Sequence, residues 1–501
     1  MIRLFNVYYP TRILVLVAGE GLIVCGSFLL AALIRLGQDS AFVLGYEYGF
    51  YKILGITALT VLCLYYFDLY DLQRIQSRQE IWFRLLVVLG IISFLLAGLG
   101  YLFPSFMLGN NTFVFGLFIL TVALFAWRGL YDLLIRLSCL RERVYVLGSG
   151  DRATRLVETL RARPELGMEV VEPPPLPGVN PASGNAPVSG TTGARSPQRL
   201  PAYSGAPARS APTSVAALEG DSLPAVGDAP WANLIEYLNK SKVSRVIVAL
   251  GDRRGTTPVR ELLELRMRGM RVEEATAMVE KVSGKIEVEG LYPSALIFSE
   301  GFAQNPAFLL ARRLVSLLVS LLALMVLLPL FPLIALAIRL TSEGPVFYRQ
   351  KRVGRNGVPF TCYKFRTMRV AAETETGPKW ATSDDPRITG VGKWLRRTRL
   401  DETPQLWNVL RGEMGFVGPR PERPEFVEWL IREIPYYNLR HVIRPGITGW
   451  AQVRYQYGAS VEESREKLKY DLYYIKHMSL SLDLLILLYS MKVILLGRGA
   501  R

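Results

Sequence analysis

The chain has 501 residues, half of them apolar and one fifth charged. Its mean hydropathy of +0.23 excludes an ordinary soluble globular domain and points to a membrane protein of several domains. The formal charge of +16 is uneven, because residues 308–501 hold 30 Lys/Arg against 17 Asp/Glu, a net +13. Beside apolar stretches, that balance suits an anionic membrane face and a phosphorylated substrate, and no nucleic-acid partner is expected. The cysteines Cys25, Cys63, Cys139 and Cys362 lack C-x-x-C spacing, and His441 and His477 are isolated. Zinc and thiol redox chemistry are thereby disfavoured, so any metal is expected on carboxylates.

Four apolar segments fill the first third: Ile13–Leu36, Tyr51–Phe67, Leu85–Phe103 and Phe113–Leu134. Each approaches the roughly 20 residues that a helix needs to cross a bilayer, so residues 1–140 are expected to form a bundle of four transmembrane helices. The first lacks a small-residue cleavage site and is expected to remain in the protein. Arg3 and Arg12, then Arg74, Arg78 and Arg84, then Arg136, Arg141 and Arg143 flank the segments, whereas the loop Pro104–Thr112 carries no charge. The positive-inside rule then places the N-terminus and everything beyond the fourth helix in the cytoplasm. Glu20, inside the first helix, requires a partner, for which a helix-to-helix hydrogen bond is the preferred reading.

Val144–Gly150 is a β-rich run that ends in Gly148-x-Gly150-x-x-Ala153. With the strand Arg245–Leu250, it predicts a Rossmann-like α/β module over residues 141–171 and 231–305. Glu172 falls where an acid could meet a ribose, but a degenerate structural or regulatory module is preferred to a cofactor-binding one. Residues 172–230 contain 12 prolines and one aromatic, Tyr203, the composition of a disordered insertion. Residues 306–501 form the last domain. It opens with a fifth apolar segment, Leu314–Ile338, that carries Arg312 and Arg313 at one end and Arg339 at the other. Pro329 and Pro332 interrupt it, so a broken, re-entrant helix over residues 309–340 is expected rather than a fifth span.

The block Leu400-Asp-Glu-Thr-Pro-Gln-Leu-Trp-Asn-Val-Leu-Arg-Gly412 carries the chemistry. Thr403 reads as an N-cap, Pro404 as the first helical residue and Gly412 as the stop. Asp401 and Glu402 then precede a helix N-terminus, among Arg396, Arg397, Arg399 and Arg420. Phosphoryl transfer needs this mixture: a carboxylate nucleophile, and cations to neutralise the phosphate oxygens it approaches. By itself, an Asp-Glu pair of this kind is also a common surface ion-pair cluster.

Four ordered motifs go further: Lys364-Phe-Arg-Thr-Met368, the Asp401-Glu402 block, Gly418-Pro-Arg-Pro421 and Arg444-Pro-Gly-Ile-Thr-Gly-Trp-Ala-Gln452. Together they resemble the bacterial sugar transferase family of polyprenyl-phosphate phosphoglycosyl transferases, over about Ala311–Arg501. The resemblance implies a mostly helical monotopic catalytic domain that transfers a hexose 1-phosphate from a UDP-sugar to undecaprenyl phosphate and releases UMP. This is the first membrane step of exopolysaccharide, O-antigen or capsule synthesis. It implies Asp401 as nucleophile in a phosphosugar-aspartate intermediate, Glu402 as metal ligand or base, and Mg²⁺ or Mn²⁺ held by the pair. Arg396 and Arg420, with Lys364 and Arg366, would bind phosphate, and Asp471 and Arg444 are further candidates. A bacterial inner-membrane location with a cytoplasmic catalytic domain, and a homodimer, follow from the same resemblance. The family's helix break usually follows a serine; Leu328 stands there instead.

Lys351 and Arg352 suit lipid headgroups. Tyr470, Tyr473 and Tyr474 with Leu480–Leu496 suggest an interfacial helix. Asp471 is equally open to a capping role. Two rival classes remain. A membrane-anchored NAD-dependent nucleotide-sugar dehydratase would require a Tyr-x-x-x-Lys pair, and none occurs after Gly150. A non-enzymatic polysaccharide-assembly scaffold would leave the ordered motifs unexplained.

Overall fold

The computed structural model describes residues 1–71, 77–106, 110–136, 141–148, 151–172, 228–250, 258–288, 301–302, 305–369, 385–455 and 460–495. Cys139, Gly150 and residues 173–227 of the expected insertion lie outside them. The fold is mostly helical, with apolar helices near the N-terminus and a parallel sheet. The described residues divide into two compact units.

The larger unit comprises residues 1–141, 163–167 and 274–501. It opens with an antiparallel hairpin, β1 (Ile2–Leu4) and β2 (Val7–Tyr9), followed by α1 (Thr11–Leu36), α2 (Ser40–Gly45), α3 (Gly49–Tyr66), α4 (Arg78–Leu102) and α5 (Asn110–Arg136). The helices α1, α3, α4 and α5 are long and apolar enough to cross a membrane. Small residues let α1 and α5 approach closely. A Cβ on Gly19 would overlap the Trp127 ring, and one on Gly116 would overlap Phe28. Glu20 of α1 pairs at 2.5 Å with Arg128 of α5, both buried. An ion pair thus takes the place of the expected hydrogen bond between helices. The turn after α3 is a polar hub, where Arg84, Arg128 and Lys492 donate to the carbonyls of Phe67, Leu69 and Tyr65.

The smaller unit is a four-stranded sheet in the order β4 (Met168–Val171), β3 (Glu142–Leu147), β5 (Arg245–Val248), β6 (Arg271–Glu274). Strand β3 is parallel to both of its neighbours. Arg245, in a central strand, is buried yet reaches Glu142 and Glu273, each at 2.9 Å, which satisfies a charge that apolar surroundings alone would penalise. Gly148 has φ +132°, and a Cβ there would meet the Ala249 carbonyl at 2.7 Å. Glu172 is exposed and pairs with Arg161. The helix Asp228–Lys240 begins inside the stretch read as insertion, with Pro230 in its first turn, where a missing N–H breaks no bond. The helix Ala275–Ser283 groups with the larger unit, so the sheet unit ends earlier than the expected 305.

Asn305 caps helix Pro306–Leu327 through a 2.9 Å bond from the Ala307 N–H, with Pro306 at the first position. The next helix is Leu330–Thr341. Between them, the Leu328 N–H reaches the Leu324 carbonyl, but Pro329 has no N–H to continue the ladder. Pro332 falls in the first turn of the second limb, where it is tolerated. Leu318, Leu322, Met325, Val326, Leu328 and Leu333 are all exposed.

The outer ends of the two limbs are anchored. Arg312 donates to Asp483 (2.8 Å) and to the Val417 carbonyl, and Arg313 donates to the Val409 and Leu410 carbonyls. Ile334 and Ile338 pack with Phe365 and Leu395. The main core gathers Trp450, Tyr473, Tyr474, Leu468, Leu472 and Leu430. Tyr473 and Tyr474 are therefore core residues and not interfacial ones. The Tyr474 hydroxyl, for instance, is needed by Asp483 and Arg312. His477 is structural, bonded to Glu280 and to the Asn6 side chain through its carbonyl.

Candidate active site

The antiparallel pair β7 (Phe347–Val353) and β8 (Pro359–Phe365) supplies one wall. It alternates exposed Arg349 and Lys351 with inward residues, so that Lys364, near the end of β8, reaches the Asp-Glu turn. That turn is a 3₁₀ element, Leu400–Glu402, entered through Arg399 at φ +58°. The following helix runs Gln405–Arg411 and stops at Gly412, φ +87°, as its position suggested. Thr403 does not cap it. Its hydroxyl donates back to the Leu400 carbonyl, while the Leu406 and Trp407 N–H groups bond the Thr403 and Pro404 backbone carbonyls.

Asn408, fully buried on that helix, holds the turn to the wall. It accepts from the Tyr363 N–H (3.2 Å) and donates to the Thr361 carbonyl (2.7 Å) and to Glu413 (2.6 Å). Sequence reading passed over it. Its signal was a polar side chain beside Leu406 and Val409 on a face that must be apolar.

The third wall comes from two glycine motifs. Strand β9 (Gly415–Val417) pairs in parallel with β10 (Gly446–Thr448). Beyond them, the Gly418 N–H bonds the Thr448 carbonyl at 2.8 Å, and the Gly446 N–H bonds the Pro419 carbonyl at 2.9 Å. A Cβ on Gly446 would lie 2.1 Å from the Gly418 nitrogen, and one on Gly449 would lie 2.1 Å from the Gly418 oxygen. Only glycine permits this backbone-to-backbone contact, which presents Arg420 to the carboxylates.

Asp401 and Glu402 are both 7 % exposed but face different surroundings. Glu402 Oε1 accepts from Lys364 and from Arg420, each at 2.7 Å, with Arg399 at 3.8 Å from Oε2. Burial would raise its pKa, but Arg420 and Lys364 outweigh burial and hold it well below the usual carboxylate range. Asp401 makes no hydrogen bond or ion pair among the described residues. Burial, then the neighbouring Glu402 charge, push it up to about 6, against the opposing pull of Lys364, Arg396 and Arg420. One carboxylate is locked in salt bridges and its neighbour is available.

Arg396 donates through Nε to Thr367 at 2.9 Å; burial lowers its pKa, and the charges of Asp401, Asp385 and Glu402 oppose that. Behind Arg420, the Arg440 guanidinium donates to the Arg420 carbonyl at 3.0 Å and to Tyr437, and pairs with Asp471 at 2.9 Å. Asp471 lies in the middle of helix Val461–Lys476, 2 % exposed, so it is not a cap. Burial takes its pKa up to about 6 despite Arg440. Arg366 is turned away from Glu402 and bonds Ser342. Arg444 feels the charges of Arg312, Arg313 and Arg355 and, among the described residues, makes no hydrogen bond or ion pair with either acid.

No group of three or more His, Cys, Asp or Glu side chains suited to a metal occurs among the described residues. A divalent hard cation that keeps its waters and binds one carboxylate plus substrate phosphates nevertheless fits Asp401, whose oxygens are uncommitted. Glu402, with one oxygen shared by two cations, fits that role less well.

A model of the family described as bacterial sugar transferase matches residues 307–497. A Klebsiella pneumoniae protein, "UDP-glucose:undecaprenyl-phosphate glucose-1-phosphate transferase", is 32 % identical over 408 residues, which cover 79 % of this chain and 78 % of that one. The chain belongs to the bacterial sugar transferase family. An Aeromonas hydrophila relative, "UDP-N-acetylgalactosamine-undecaprenyl-phosphate N-acetylgalactosaminephosphotransferase", is 41 % identical over 222 residues, 44 % of this chain and 52 % of the relative. A Xanthomonas campestris pv. campestris relative, named as a UDP-glucose:undecaprenyl-phosphate glucose-1-phosphate transferase, is 35 % identical over 272 residues, 54 % and 56 % of the two chains. The chain thus spans about half the length of these last two sugar transferases. The site described above lies within the segment that the family model matches.

Proposed function

We propose that this chain transfers a hexose 1-phosphate from a UDP-sugar to undecaprenyl phosphate through a covalent aspartyl intermediate at the inner membrane. The observation that carries the reading is the asymmetry of the acid pair: an uncommitted, buried Asp401 beside a Glu402 fixed by Lys364 and Arg420. An Asp401 oxygen attacks the β-phosphorus of the UDP-sugar, the bridging P–O bond to the α-phosphate breaks, and UMP leaves with the bonding pair. The acceptor phosphate then attacks the same phosphorus and frees the Asp401 carboxylate. No net proton is consumed. Arg396 and Arg420 hold the diphosphate oxygens, while Lys364 and Arg420 keep Glu402 from repelling them. Mg²⁺ or Mn²⁺ at Asp401, when bound, neutralises diphosphate charge.

The re-entrant placement of Pro306–Thr341 belongs to the same reading. It is supported by the proline break, by the exposed apolar middle, and by the anchoring of both outer ends on elements that surround the same acid pair. The limb Pro306–Leu327 is by itself long and apolar enough to cross a membrane, so the reading rests on the break at Pro329 and on the anchoring of both outer ends, not on length. A cytoplasmic catalytic domain and a homodimer complete the proposal. The dehydratase and scaffold readings gain no support.

The relatives named for glucose and for N-acetylgalactosamine define the first donors to test. Purified chain in detergent should release UMP from one of them beyond one equivalent per chain only when both polyprenyl phosphate and Mg²⁺ are present. Failure with every UDP-hexose and UDP-N-acetylhexosamine would reject the reading.

A further inference from the structure

Arg366 stands apart from the cations gathered on Glu402. It is only 6 % exposed, and its Nη2 donates to both the carbonyl and the hydroxyl of Ser342, each at 2.8 Å. Its Nε and Nη1 are buried and have no hydrogen-bond partner. Leaving two donors of a guanidinium unmet inside a protein is unfavourable. The charge of Arg339, of the same sign, also acts on it. Among the described residues no carboxylate pairs with either. Among the described residues the two arginines therefore form an uncompensated positive site, in which two donors of Arg366 are already dehydrated.

Its place in the fold indicates the anion. Ser342 follows the last turn of helix Leu330–Thr341, and Leu333, Leu336 and Leu340 of that helix are exposed. Arg339 and Arg366 thus sit where a lipid-facing apolar surface ends, at the depth of a phosphate headgroup. The site also adjoins the reaction centre along one strand end. Lys364, two residues before Arg366, bonds Glu402, and Thr367, the next residue, holds Arg396.

We propose that Arg366, anchored by Ser342, and Arg339 receive the phosphate of the polyprenyl phosphate acceptor, a subsite separate from the donor diphosphate position at Arg396 and Arg420. The assignment rests on the transfer reading above. A phosphomonoester dianion matches a planar guanidinium with two free donors backed by a second one.

A double-displacement reaction separates the two substrates kinetically, because kcat/KM for the UDP-sugar reports only the first half-reaction and kcat/KM for the acceptor only the second. With purified full-length chain and a short polyprenyl phosphate, Arg366→Gln and Arg339→Ala should each lower the acceptor kcat/KM about tenfold or more. The UDP-sugar kcat/KM should change less than about twofold, and Arg366→Lys should retain more acceptor kcat/KM than Arg366→Gln. Arg339 is exposed, so its variant tests the site without a folding burden. An equal fall in both constants would make these arginines structural or donor-binding and overturn the proposal. An unchanged acceptor constant with loss of co-purifying phospholipid would overturn it too, by assigning the site to a bulk lipid. Wild-type chain without acceptor-dependent UMP release would instead bring down the transfer reading, and the subsite with it.

Discussion

At the scale of residues, the adjacent acids are held in opposite states by their neighbours. Three cations keep Glu402 ionised, and burial beside that charge lifts Asp401 to about 6. The attacking form is the carboxylate. kcat/KM for the UDP-sugar should therefore be flat above pH 6 and fall about tenfold per pH unit below it; a profile flat down to pH 4.5 would dissociate activity from Asp401. The same shift bears on stability. An acid whose folded pKa is raised binds more protons in the native state, so stability declines as pH rises through the window up to about 6 and the burden is complete above it. Asp401→Asn should then raise the Tm relative to wild type at pH 8 and lose that advantage progressively below pH 6, fully only near pH 4, a comparison that thermal unfolding in detergent reads directly. Asp401, Glu402, Lys364 and Arg420 were legible as motif residues. Asn408 and Arg440 were not, because a sequence does not reveal which polar side chain in an apolar element will be buried and what backbone it will hold.

At the scale of elements, prolines and glycines account for the architecture around the site. The break at Pro329 was readable, since a missing N–H acts wherever the chain goes. Single cysteines near Arg312 and near Glu343 should both react only with reagent on the cytoplasmic face; periplasmic labelling near Glu343 would mean that the segment spans. The reason for Gly446 emerges only from two loops that meet backbone to backbone. Gly446→Ala would force a Cβ to within 2.1 Å of the Gly418 nitrogen. It should destabilise by at least about 2 kcal/mol and displace Arg420. Wild-type unfolding and activity in that variant would show that the loops separate freely. The Thr403 cap failed as an expectation because its hydroxyl turns back to the Leu400 carbonyl, and the Leu406 and Trp407 N–H groups bond the Thr403 and Pro404 backbone carbonyls instead.

At the scale of the whole molecule, composition located the four N-terminal apolar helices and the basic C-terminal domain. Composition missed how closely the C-terminal domain is tied to the start of the chain. The Asn6 carbonyl accepts from Tyr473, and Lys492 pairs with Asp68. Such long-range pairs leave no local pattern. Residues 173–227, rich in proline and small residues, lack the apolar content for a core, so their deletion should leave UMP release within about twofold of wild type; loss of folding would reveal a needed element there. The measurement that bears most directly on the account is intact and peptide mass analysis of the chain after incubation with its UDP-sugar and Mg²⁺ but no lipid acceptor. The account predicts one added hexose phosphate on the peptide containing Asp401, removed by added polyprenyl phosphate and absent from Asp401→Asn. Acceptor-dependent turnover with no such adduct, or with the adduct on another residue, would contradict it.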